Sequence, residues 1–99
     1  MAGFAVSFRI ESEGNYNDRW ASIIDAIRKE SSEAPWEETT SFLIIHSDKT
    51  ADAIASSVYL GSSMTAGDLV LVLNLSFKDH AVRGNAKYPY TLASLMAAR

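Results

Sequence analysis

Three carboxylates crowd the end of the first apolar stretch. In AVSFRIESEGNYNDRW, residues 5–20, Glu11, Glu13 and Asp18 lie just before the start of a helix. Two carboxylates spaced two residues apart in an extended segment project to the same side, and such a pair can share a Mg²⁺ ion with waters. The same residues also suit a plainer role. Glu11 and Glu13 keep a strand end soluble, and Asp18 sits favourably near a helix N-terminus. No histidine at ligand spacing accompanies them, so the structural role is preferred. No metal or other cofactor is expected, and Mg²⁺ enters only if Glu11 or Glu13 serves a nuclease.

Other residues of catalytic type are scattered. His46 closes an apolar run and His80 lies far along the chain. Ser47 and Asp48 follow His46 directly, but neighbouring side chains of a strand point opposite ways, so adjacency alone makes no dyad. Capping of a following helix is the better use of Ser47, Asp48 or Thr50. Gly61, Gly67 and Gly84 form no phosphate loop: YLGSSMTAGD lacks the Lys-Ser/Thr ending of a Walker motif, and no G-x-G-x-x-G occurs. They read as turn glycines.

Charge is unevenly spread over the 99 residues. Residues 1–76 hold eleven acids and five bases, whereas residues 77–99 hold four bases and one acid. In the tail, Lys78, Arg83 and Lys87 alternate with Phe77, Tyr88 and Tyr90. Basic and aromatic residues together suit a single-stranded nucleic-acid platform. They equally suit an arm that docks on an acidic body, its own or a partner's. The arm is favoured, because a chain of net charge −3 repels nucleic acid as a whole. There is no cysteine, which removes disulfides, thiolate metal sites and cysteine nucleophiles and fits a cytoplasmic protein. The longest apolar run, LVLVL at 69–73, is too short to span a membrane, and no signal peptide is evident.

The elements that would position these residues are legible. FAVSFRI places Phe4, Val6, Phe8 and Ile10 on one side of a strand and Ala5, Ser7 and Arg9 on the other. Gly14 and Asn15 end it, with Asn15 or Asn17 available as a cap. Trp20, Ile23, Ile24 and Ile27 then form the apolar stripe of a helix that stops near Ser31–Ser32, before Pro35. WEETTSFLIIHS at 36–47 reads as strand, either one strand or a hairpin over 36–46. A second helix buries Ala51, Ile54, Ala55 and Val58 and ends near Gly61. LVLVLNLS is the last clear strand, and the remainder reads as irregular until a short helix after Tyr90.

Two orders fit: an antiparallel ferredoxin-like β-α-β-β-α-β sandwich and a small parallel β-α-β-α-β sheet. The ferredoxin-like α+β domain over residues 1–76 is preferred, with two helices on one face of a four-stranded antiparallel sheet and a basic arm over residues 77–99. FLII and LVLVL are apolar on both sides, so the face away from the helices needs a cover. Arg9, Val70 and Val72 are accordingly expected at a homodimer interface. Trp20 and Trp36 read as core or interface anchors.

This order, with TTSFLIIHSDKTADAIASSV and GDLVLVLNL, resembles the small CRISPR-associated ferredoxin-fold dimers (the Cas-two family) and their VapD-like and uncharacterised bacterial relatives. The likeness covers about residues 4–76. It implies a dimer of facing sheets and, for nuclease members, an aspartate in a tyrosine-aspartate-aliphatic triplet at the end of the first strand. Here that triplet is Phe8-Arg9-Ile10. An arginine stays protonated and neither ligates a metal nor acts as a base. The expectation is therefore a homodimeric binding or scaffold protein, leaning away from an enzyme. The alternatives are a divergent nuclease built on Glu11 or Glu13 and a nucleic-acid-binding regulator using Lys78, Arg83 and Lys87.

Overall fold

A computed structural model describes residues 2–11 and 14–98. Among these residues four strands form one sheet: β1 (Ala2–Arg9), β2 (Phe42–Ser47), β3 (Leu69–Asn74) and β4 (His80–Gly84). Three helices accompany it among the same residues: α1 (Tyr16–Glu30), α2 (Ala51–Gly61) and α3 (Pro89–Ala97). The strand order is β2-β1-β3-β4 and every pairing is antiparallel, which excludes the parallel arrangement.

The ferredoxin-like order survives through a single residue. Trp36 pairs with Ile44, each N–H donating to the other's carbonyl at 2.9 Å. This bridge stands where the second strand of a β-α-β-β-α-β fold belongs, beside β2 at the sheet edge. The segment therefore makes a hairpin reduced to one residue pair. Its other polar residues are held elsewhere: Trp20 Nε1 donates to the Thr40 carbonyl at 2.6 Å, and Arg28 of α1 binds the Glu37 carboxylate. β4 is an additional strand outside the fourfold pattern.

The core lies between the sheet and α1–α2. Val6 sits opposite Leu43 on one side and Val72 on the other, all three without exposure. Phe4, Phe8, Ile45 and Val70 extend this layer, and Ile23, Ile24 and Ile27 of α1 meet it with Ile54, Ala55 and Val58 of α2. Asn15 occupies the cap position of α1 in the left-handed region (φ 59°), which asparagine tolerates, and its side chain makes no capping bond. Thr50 does cap α2: its hydroxyl accepts from Ala53 N–H at 3.1 Å.

Two expectations need correction. Val70 and Val72 face the helices and are fully buried, so neither reaches a partner. The residues of β3 turned the other way are Leu69, Leu71 and Leu73, which are only half-buried. A run apolar on both sides carries no mark of which side meets the helices; the register with β1 decides it. Second, the tail is not irregular up to Tyr90. Residues 80–84 pair with β3 as a strand, and α3 then lies against the sheet face opposite the other helices. Tyr88 and Leu92 there border a cleft with Leu71 and Val82. Among the described residues, no helix is long and apolar enough to cross a membrane.

Candidate functional site

The richest polar cluster lies where β1 ends. Asp68, at the entry to β3, is fully buried and binds three separate segments. Its Oδ1 accepts from the Glu11 N–H at 2.7 Å, and its Oδ2 accepts from the Thr65 N–H at 2.8 Å and from the Arg19 guanidinium. Arg19, itself 6% exposed, also donates to the Glu11 carbonyl at 3.1 Å. The Asp68 carbonyl accepts from Asn85 N–H at 2.7 Å, which ties in the end of β4. Burial pushes the Asp68 carboxyl up, but the Arg19 guanidinium and the Thr65 and Glu11 N–H groups outweigh it and hold it below its ordinary range. With both oxygens engaged and no solvent contact, Asp68 is an anchor, not a base.

This anchor was not legible as a site. Asp68 reads as a turn residue in TAGD. The available signal was Arg19, a charge four residues before Ile23 on the apolar side of α1, which demands a buried partner.

Next to the anchor, Arg9, Glu11, Gly67, Asn85 and Lys87 border a cleft of about 250 Å³. Arg9 extends from the sheet face opposite α1 and α2, and its Nη2 donates to the Asn85 carbonyl at 2.7 Å. The Glu11 carboxylate lies over Gly67, where a Cβ would come within 1.3 Å of Oε2. Glu13 lies outside the described residues, so the Glu11–Glu13 pair has no described geometry. Asp18 is exposed in the first turn of α1, as its helix-dipole role requires. Among the described residues no three His, Asp or Glu side chains gather as a metal site.

The tail cations do not share a surface. Arg83 turns to the helix side, where its guanidinium binds Asp52 and donates to Ser56 Oγ at 3.1 Å. Lys78 lies before β4 and donates to the Ala98 carbonyl beyond α3. Lys87 lies past the other end of β4, with Arg9. The three cations named for the alternative nucleic-acid reading, Lys78, Arg83 and Lys87, thus lie apart from one another.

His46 has neighbours that the sequence did not suggest. Glu33 Oε1 lies 3.1 Å and Ser32 Oγ 3.4 Å from His46 Nδ1. Both approach the same ring nitrogen, whereas a nucleophile and an orienting acid need opposite ones. Ser32 Oγ also donates to the His46 carbonyl at 2.9 Å, so its proton is committed to the backbone. Ser47 is buried and accepts from Lys49 N–H at 3.1 Å, away from any dyad. His46, Glu33, Trp36, Ile44 and Gly3 line a shallow depression of about 360 Å³ on the face away from α1 and α2.

Comparison with known proteins finds no matching family model, no similar curated protein and no similar solved structure.

Proposed function

We propose that this chain is a binding or scaffold module that works as a homodimer, joined through the part of the sheet that no helix covers. The observation that carries this reading is an exposed apolar strip on that face. Trp36 is 43%, Ile44 37% and Leu75 56% exposed, and Leu75 packs beside Gly3 at the end of the sheet. Large apolar groups gathered on one face of a small monomer mark an association surface. A second copy offers the same strip, and an isologous contact buries both at once. Leu92 of α3 borders the β3–β4 half of this face beside Leu71 and Val82, so the free area belongs mainly to β1, β2 and the Trp36 bridge.

Kinship with the small CRISPR-associated dimers rests on the β-α-β-β-α-β order and this open face. Arg9 stands at the strand end where their nuclease members carry aspartate, which supports a binding role over a metal-dependent nuclease. The test is molar mass in solution by light scattering, on the wild-type chain and on Ile44→Lys/Leu75→Lys. A dimeric wild type and a folded, monomeric variant support the reading. A monomeric wild type at high concentration overturns it.

A further inference from the structure

Most cations of this acidic chain are neutralised by carboxylates. Arg19 holds Asp68, Arg28 Glu37, Lys29 Asp25, Lys49 Glu30 and Arg83 Asp52. Three described cations differ. Arg9 and Lys78 each donate to a carbonyl only, and Lys87 has no hydrogen bond or ion pair among the described residues. Arg9 and Lys87 both border two adjoining clefts. One is the polar cleft of about 250 Å³ described above. The other, about 210 Å³, runs between α3 and the sheet, with Leu69, Leu71, Val82 and Leu92 on its walls. An apolar slot with two cations at its mouth is complementary to a molecule with an apolar tail and an anionic head.

The charge balance selects among anions. Glu11 contributes one negative charge to the polar cleft, so the charged side chains lining it leave a single net positive charge. That matches a monoanion and disfavours a multiply charged phosphate. The geometry points to a site for a small apolar carboxylate, its carboxylate between Arg9 and Lys87 and its aliphatic or aryl tail under α3 against Leu71 and Val82. The slot lies on the β3–β4 half of the face. It is independent of the proposed dimer contact, and a monomeric protein would carry it equally.

The test is a titration of the ¹⁵N-labelled full chain with sodium octanoate, followed by amide shifts, with octan-1-ol and inorganic phosphate as comparison probes. Octanoate is expected to shift Leu71, Val82 and Leu92 in one saturable step, ahead of both comparison probes. Lys87→Gln removes no described contact, and it is expected to weaken octanoate by about fivefold, the scale of one partly exposed charge pair. Arg9→Gln is expected to act similarly, and Ile44→Lys to leave binding unchanged. The same spectra report whether each variant is folded. The proposal is overturned if octanol binds as well as octanoate, if phosphate binds as well, if octanoate shifts other residues or none, or if folded Lys87→Gln binds like wild type.

Discussion

Arg19, in the first turn of α1, and Asp68, at the entry to β3, form a buried ion pair across 49 residues of sequence. It joins the helix layer to the end of the sheet and leaves no charge on the surface. Around it the ends of β1, β3 and β4 are fixed, and Arg9 and Lys87 are held at the neighbouring cleft.

Breaking this pair is expected to be costly. Asp68→Asn leaves Arg19 buried against a neutral group, and loss of one partner of a buried pair costs about 3–5 kcal/mol. Urea unfolding of wild type and variant measures the difference. An unchanged midpoint would mean the pair carries no stability.

The same carboxylate sets an acid limit. Its folded-state pKa lies below the ordinary aspartate value of 3.8, so the folded form binds this proton less readily than the unfolded chain. The contribution is complete above the unfolded pKa and is lost as pH falls through the folded one. Stability is therefore expected to decline below about pH 4 in wild type. The decline should be shallower in Asp68→Asn, as followed by thermal unfolding against pH.

Gly84 provides a sharp backbone test. Its φ is +100°, and an added Cβ would lie 1.9 Å from the Asp68 carbonyl oxygen, a backbone atom that cannot swing aside. Gly84→Ala is expected to cost at least about 2 kcal/mol from strain and collision together. Gly14, where a Cβ meets nothing within 4 Å, serves as the control. Gly14→Ala is expected to shift stability by less than about 0.5 kcal/mol. Equal midpoints for the two variants would refute the placement of Gly84.

The two sides of the sheet are distinguished by two isoleucines. Ile54 is fully buried in α2 against the core, and Ile54→Ala is expected to cost about 2–5 kcal/mol. Ile44 is partly exposed on the other face, and Ile44→Ala is expected to cost far less in urea at low protein concentration. A similar loss at both positions would contradict the assignment of faces.

What was legible follows from which interactions are local. The alternation of Phe4, Val6 and Phe8 and the Trp20–Ile27 stripe are periodic signals within one element, and both elements stand where that periodicity puts them. The second strand was ambiguous because it consists of one bridge at Trp36, held by α1 through Trp20 and Arg28 as much as by the sheet. β4 was not legible because Ala81 and Val82 lie among charged residues and become strand only by pairing with β3. LVLVL is apolar at every position, so only the register with β1 turns Val70 and Val72 to the helices and leaves Leu69, Leu71 and Leu73 on the other side. Among the candidate site residues, Arg9 is marked in the sequence by its place in the strand. Its companion Lys87 and the anchor Asp68 join it only through contacts distant in sequence.

The face through which two copies meet can be identified directly. Isotope-filtered NOE spectra would be recorded on a mixture of methyl-labelled and unlabelled chains. A dimer joined through the sheet gives intermolecular contacts from the Ile44 and Leu75 methyl groups and none from Leu60, which is exposed on α2 at the opposite side. Intermolecular contacts confined to Leu60 or its helix, or none at any methyl group at high concentration, would contradict it.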